Sequence, residues 1–199
     1  MQFTCQRTGK CCTHSQIVIT LTHKDLWVLF QHAQDMEELK QFIQFILIEK
    51  KEQSEKLVLN SIETTEGKGI FILRKNVENK CIFYKSSASS CQIHDIRPQA
   101  CRNFPFAFAE IEDKITVSLV KGASSFCIGI GKGKEYEKNS FDKVGMHTIE
   151  IIKRYNAIAE EINKEAQQKK PLTPQMALGM LLLVAEKEQI NLEEEFQIL

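Results

Sequence analysis

The chain has 199 residues, 43% of them hydrophobic, and its 26 basic residues balance 26 acidic ones. That much apolar side chain can bury a core without cross-links, which argues against disorder, and zero formal charge argues against the broad positive surface of a general nucleic-acid binder. The longest apolar run, Met180 to Ala185 behind Gly179, is far below the roughly 20 residues that span a bilayer, so no membrane segment is expected. Met1 to Cys5 carries no basic leader and no apolar core of a secretory signal, and a cytoplasmic location is expected.

The first element is a cysteine turn, Cys5-Gln-Arg-Thr-Gly-Lys-Cys11-Cys12, in which Gly9 permits tight backbone curvature. Ile17, Ile19 and Leu21 alternate with Val18 and Thr20 as in a short strand. Thr22 with Asp25 three residues on is a capping signature, and Leu26, Leu29 and Phe30 mark one face of the helix it opens. Asp35 with Glu38 repeats the device for a helix carrying Leu39, Phe42, Ile43, Ile46 and Leu47 to about Lys50. Two β-prone runs, Leu57 to Ile62 and Ile70 to Leu73, flank Glu66-Gly67-Lys68-Gly69 and predict a hairpin.

A polar loop with Cys81, Cys91 and Cys101 then runs from 81 to 105, stiffened by Pro98 and Pro105. So long a stretch without predicted secondary structure calls for something to hold it, and a metal is the economical holder. A second hairpin is predicted from Phe106 to Ile111 and Ile115 to Val120 through Glu112-Asp113-Lys114, and Cys127 opens a glycine-rich loop. From Asn139, Phe141, Val144, Ile149, Ile152, Tyr155, Ile158 and Ile162 trace a helix ended by Lys169-Lys170-Pro171. A last helix begins near Pro174 and carries Met176, Leu178, Leu181, Leu182 and Leu183. The expected fold is α+β: a small cysteine-rich, metal-organised domain over residues 1–134 with short strands, hairpins and helices, followed by two C-terminal helices over 135–199 packed on it.

Seven cysteines, Cys5, Cys11, Cys12, Cys81, Cys91, Cys101 and Cys127, are the chemistry of this chain. Soft thiolates select zinc and iron-sulfur clusters over magnesium or calcium. Disulfides are the lesser reading, because an odd count cannot pair completely and reduced thiols are the rule in the cytosol. The nine-residue gaps from Cys81 to Cys91 and from Cys91 to Cys101 exceed the spacing of a zinc knuckle, so the ligands are expected from distant segments. Arg97 and Arg102 set cations beside Cys91 and Cys101, where they lower thiol pKa or simply form surface ion pairs. His14 and His94 stand near cysteines and are candidate ligands, although such histidines more often serve on the surface or as caps.

These motifs in order, Phe3-Thr-Cys5 to Cys12, Cys81-Ile-Phe83, and Cys91-Gln-Ile-His-Asp-Ile-Arg97-Pro98-Gln-Ala-Cys101-Arg102-Asn-Phe104-Pro105, resemble the YkgJ-type cysteine-cluster proteins, described as zinc- or iron-chelating and often as iron-sulfur proteins. The string Cys127-Ile-Gly129-Ile-Gly131-Lys-Gly133 is similar to that family's closing loop. One departure is plain: where the family commonly has Cys-x-x-Cys-Gly-x-Cys-Cys, Thr8 stands in place of the second cysteine.

The resemblance implies metal binding by the seven thiols, with a [4Fe-4S] iron-sulfur cluster favoured and zinc as the alternative. The role is redox, sensing or structural. Two other classes stay open: a zinc-binding protein whose C-terminal helices dock on a protein partner, and a protein-modifying enzyme, since some proteins with a similar cluster are flagellin lysine methylases. No catalytic residue can be named, and Gly129-x-Gly131-x-Gly133 lacks the strand-to-helix setting of a dinucleotide site.

Overall fold

A computed structural model of the chain describes residues 2–48, 58–135, 137–168 and 171–188. The elements are β1 (Gln2–Phe3), α1 (Lys10–Thr13), α2 (His23–His32), α3 (Met36–Phe42), β2 (Ile43–Leu47), β3 (Ile62–Thr64), β4 (Gly67–Leu73), β5 (Tyr84–Lys85), β6 (Ser90–Cys91), α4 (Gln99–Asn103), β7 (Phe106–Ile111), β8 (Lys114–Leu119), β9 (Ile130–Glu135), α5 (Lys138–Gln168) and α6 (Pro174–Lys187). The fold is α+β, as expected. No helix among the described residues is long and apolar enough to cross a membrane.

Among the described residues the chain forms two compact units, each discontinuous in sequence: one takes residues up to Ile17 and Lys75–Glu150, the other Val18–Arg74 and residues 151–188. This grouping differs from the division at residue 134 read from the cysteine distribution. The cysteine-free segment 18–74 belongs with the C-terminal helices, because its apolar side chains share a core with theirs, and the start of α5 belongs with the cysteines.

In the unit without cysteines, β2, β4 and β3 make a three-stranded antiparallel sheet with β4 in the centre. The capping box at Thr22 forms as expected: its hydroxyl accepts the Asp25 amide at 3.2 Å, while the Asp25 carboxylate accepts the Thr22 amide at 2.9 Å. Asp35 caps α3 by accepting from the Glu37 and Glu38 amides, while the Glu38 carboxylate accepts from the Gln34 amide rather than closing a box on Asp35. The helix predicted to run from Asp35 to about Lys50, however, stops at Phe42, and Ile43–Leu47 is a strand paired with Leu73 to Gly69. The run Phe42 to Leu47 fits either period, and the ladder to β4 decides. Arg74 seals the change of direction by donating to the Lys40 and Ile43 carbonyls at 3.0–3.2 Å. Residues 49 and 50, where that predicted helix ends, lie outside the described residues.

The strand predicted at Ile17–Leu21 reduces to a bridge from Thr20 to Ile72, flanked by Leu21 N–H to Phe71 O and Leu73 N–H to Ile19 O. The hairpin predicted before Leu73 forms as β3 and β4, but its turn is Thr65-Glu66 and Gly67 to Gly69 lie within the strand. Leu57 lies outside the described residues. Gly69 is needed for close approach rather than for turning, since a Cβ there would stand 2.4 Å from the Ile46 carbonyl oxygen.

Residues 58–63 reach the sheet along α5 through two asparagine clamps. Asn156 accepts the Asn60 amide at 2.7 Å and donates to the Val58 carbonyl at 3.1 Å. Asn163 repeats this with the Glu63 amide at 2.7 Å and the Ser61 carbonyl at 3.0 Å. Seven helical residues at about 1.5 Å each advance nearly as far as three extended residues at about 3.3 Å each, so the two clamps keep step. Helix α6 opens with Pro174 behind a Thr173 cap, as predicted near that proline. Leu21, Leu26, Leu29, Leu39, Ile62, Ile70, Tyr155, Ile158 and Leu181 are the fully buried core of this unit.

In the cysteine unit, β7 and β8 form the predicted second hairpin, closed by Glu112 and Asp113, both at positive φ (50° and 59°) as a tight two-residue turn demands. Its Phe106 and Phe108 pack with Phe141 and Val144 of α5, flanked by Phe3 and Ile115. The predicted irregular loop 81–105 contains a two-residue hairpin, β5 with β6, two 3-10 turns and the short helix α4. The predicted helix from Asn139 is α5; its expected stop at Lys169-Lys170 lies outside the described residues.

Candidate metal centre

The cysteines are placed by short backbone devices. Gly9 caps α1 in the left-handed conformation (φ 65°), and its carbonyl accepts the Cys12 and Thr13 amides at 2.9 and 3.1 Å. A Cβ at Gly9 would stand 2.3 Å from the Tyr84 ring, so glycine here lets α1 lie against the cysteine loop. The Cys12 carbonyl then accepts the Cys81 amide at 2.8 Å. The Cys81 carbonyl accepts the Tyr84 amide at 2.9 Å, and Tyr84 pairs with Cys91 across β5 and β6. Three sequence-distant cysteine segments are thereby tied together by main-chain bonds alone.

The thiols follow the backbone. Cys12 hydrogen-bonds with Cys11, Cys81 and Cys91 and is the hub of a four-sulfur cluster. The interaction with Cys11 first, then those with Cys81 and Cys91, and burial, push the Cys12 pKa up. The same bond, opposed by burial, brings Cys11 down to about 7 and lowers Cys81. Cys91 also falls to about 7, through the Cys12 bond first and against burial, with help from the Ile93 amide and the Arg97 guanidinium.

Three cysteines share a further device that sequence reading did not isolate. The Phe83 amide donates to the Cys81 sulfur, the Ile93 amide to Cys91, and the Gly129 amide to Cys127, each two residues on. Such amide bonds stabilise a thiolate as a ligand. Phe83 and Ile93 are buried and anchor their turns. The legible signal is the repeated cysteine, any residue, apolar residue at Cys81-Ile-Phe83 and Cys91-Gln-Ile93.

The remaining predicted ligands stand as follows. Cys5 is exposed and Cys127 half-buried, and charge on Cys5 and Cys11 is felt at Cys127, whose pKa is raised first by burial. Cys101 is half-buried on α4, whose Gln99 and Asn103 are fastened to Thr148 at 3.3 and 3.1 Å in a buried polar network. None of the seven cysteines is in a disulfide. His14 stacks on Phe126 with centroids 4.3 Å apart. The His94 ring is taken up by Arg97 and Asp95, with nitrogen contacts of 2.7 to 3.2 Å.

Among the described residues no three His, Cys, Asp or Glu side chains surround a common point as a ready-made metal site. Cys11, Cys81 and Cys91 each interact with Cys12. The donor set nonetheless has the chemistry of a thiophilic metal's ligands: four sulfurs, two with pKa values near neutrality, and backbone amides already directed at three of them, Cys11, Cys81 and Cys91.

The whole stretch matches the CxxCxxCC family, a "putative zinc- or iron-chelating domain", over residues 4–128. The chain belongs to that family, and zinc or iron chelation is the function the family carries. No curated protein and no solved structure matches it.

Proposed function

We propose that Cys11, Cys12, Cys81 and Cys91 are the ligands of one mononuclear tetrathiolate centre, zinc by preference, whose role is to hold the N-terminal turn and the cysteine loop in one fold. What supports this is the mutual reach of the sulfurs: the Cys11, Cys81 and Cys91 side chains each interact with that of Cys12. Zinc–sulfur bonds of about 2.3 Å put tetrahedral ligand sulfurs roughly 3.8 Å apart, which is contact distance. The ligand sulfurs of a [4Fe-4S] cluster are separated by a whole inorganic cube and stand farther from one another. When bound, the metal supplies a tetrahedral cross-link and needs no redox change.

In this reading Cys12 gives up its proton on binding and the hub becomes a ligand. Phe83 and Ile93 amides keep Cys81 and Cys91 oriented, and Arg97 offsets part of the negative charge of four thiolates. A [4Fe-4S] cluster remains the second reading, favoured by the supply of seven thiols and by the amides of Gly129 and Ile130 aimed at Cys127.

Zinc, iron and acid-labile sulfide counted per chain on anaerobically purified protein separate the two. One zinc, no sulfide and no visible absorption is the expected result. Iron with matching sulfide and a colour bleached by dithionite replaces the zinc reading with the cluster.

A further inference from the structure

The β7–β8 hairpin has one strand edge that its own fold leaves open. Among the described residues β8 pairs with β7 alone, in an unbroken register from Phe106↔Leu119 to Ile111↔Lys114. The two-residue turn makes Ile111 and Lys114 a hydrogen-bonded pair, and at the far end the Val120 amide donates to the Pro105 carbonyl at 2.8 Å. Bonded pairs alternate along an antiparallel ladder, so Lys114, Thr116, Ser118 and Val120 turn their backbone groups to β7, while Ile115, Val117 and Leu119 turn theirs outward. Those three residues also stand on the face of the ribbon that carries Phe106 and Phe108, because directly paired residues share a face. Helix α5 supports that face, lying so close that a Cβ at Gly145 would stand 2.3 Å from Ile115 Cγ2. Toward the open edge Val117 and Leu119 are each 37% exposed. Edge strands are ordinarily guarded by a charge, a proline or a bulge. From Ile115 to Val120 the sequence is Ile-Thr-Val-Ser-Leu-Val, with none of these.

We propose that β8 pairs antiparallel with β8 of a second copy of this chain, Val117 opposite Val117, so that two hairpins join as one four-stranded sheet. The occupant is a second copy because the strand is complementary to itself. With Val117 at the twofold point, Ile115 of each copy faces Leu119 of the other, and every outward amide and carbonyl of these three residues meets its counterpart. The half-exposed Val117 and Leu119 side chains then cover one another on one face, and Thr116 faces Ser118 on the other. Two residues further out, the same register brings the exposed Asp113 of each copy to the level of the exposed Lys121 of the other, opposite charges at both ends. Sliding the pairing by two residues sets Leu119 opposite Asp113, or Ile115 opposite Lys121, and leaves outward groups unpaired, so one register is selected. The ribbon is already ordered on α5 and pairs without rearrangement. A contact made by one strand and its copy is small, and the dimer is therefore weak.

The test is sedimentation velocity on the full-length chain as purified, kept under reductant, from about 1 µM to about 1 mM, beside amide exchange over the same series. The mass is expected to rise with concentration toward that of two chains. The amides of Ile115, Val117 and Leu119 should gain protection in step, while those of Thr116, Ser118 and Val120 are protected at every concentration. Val117→Lys sets two ammonium groups against each other at the twofold point and is expected to raise the dissociation constant about tenfold or more, with the inward amides still protected. Lys121→Glu should weaken the dimer less, and adding Asp113→Lys should restore it. A chain that stays monomeric throughout overturns the proposal. A dimer that survives Val117→Lys, or that leaves the outward amides unprotected, overturns it as well, because the copies then meet elsewhere. If Val117→Lys also loosens the inward amides, the Lys121→Glu variant and its repair decide alone, and an unchanged dimer in Lys121→Glu overturns it.

Discussion

The two units are stabilised by different means. The described residues of 18–74 and 151–188 bury a set of large aliphatic side chains around Tyr155, enough to order a sheet and the helices packed on it by apolar burial. The cysteine unit has a small aromatic cluster at Phe106, Phe108, Phe141 and Val144, and its cysteine loop is pinned by Phe83, Ile93 and a few main-chain bonds. Burial of apolar surface is non-directional and tolerant of exchange, whereas sulfur ligation depends on individual atoms. A single substitution should therefore act on the two units in different ways.

The largest effect is expected from Cys12→Ser. It removes the hub, and with it most of an interaction worth about 10 to 16 kcal/mol at structural zinc sites. Metal content should fall to background, and amide exchange should quicken through residues 76–104 while Tyr155, Ile158 and Leu181 keep their protection. Unchanged protection in the cysteine loop would mean that backbone bonds alone hold it.

Leu181→Ala tests the other unit. Leu181 is fully buried, so the cavity should cost about 2 to 5 kcal/mol in thermal or denaturant unfolding. Metal content per folded chain should not move. A parallel loss of metal would show that the two units unfold as one.

The units also differ in how far the sequence declares them. The capping box at Thr22, the side-chain cap at Asp35, the hairpin closed at Glu112-Asp113 and the helix starting at Pro174 were all readable, because each is a local rule of one or two turns. The strand at Ile43–Leu47 was not, since an unbroken apolar run satisfies both periods and only the long-range partner β4 settles it. Gly67 and Gly69 read as turn residues because glycine used for close approach looks the same as glycine used for turning. At the metal centre, cysteine chemistry named the class of ligand, but the central position of Cys12 follows from Cys81 bonding to its carbonyl across 69 residues, which no spacing rule contains.

Acidity should act on the cysteine-free unit first through His23. This fully buried imidazole has Nε2 at 3.0 Å from the Glu188 carboxylate and, among the described residues, no hydrogen-bond partner for Nδ1. Burial lowers its pKa from 6.5, and the hydrogen bond and charge of Glu188 only partly oppose that. A folded-state pKa below the unfolded value means that unfolded chains take up the proton first. The stability contributed by neutral His23 is complete above pH 6.5 and is lost as pH falls from there through the folded value. Glu188, held down by Arg154 and His23 against its own burial, adds a second loss only below about 4.5. Melting followed at amides near Tyr155 should decline in those two steps, and His23→Gln should erase the upper one.

The smallest expected effect comes from the asparagine clamps, and it sharpens the contrast because it uses polar bonds in the apolar unit. Asn163→Ala removes an acceptor for the Glu63 amide and a donor for the Ser61 carbonyl. Each lost bond is worth about 1 kcal/mol, and this site is only partly buried, so water can replace some of the loss. A destabilisation of about 1 to 2 kcal/mol is expected, with exchange quickened at residues 61–63. Asn163→Asp should recover part of it, because a carboxylate still accepts from Glu63 N–H but cannot donate to Ser61, and Asn156, one clamp away, should still hold residues 58–60. If Asn163→Ala instead melts the whole sheet, segment 58–64 depends on its clamps rather than on its pairing with β4.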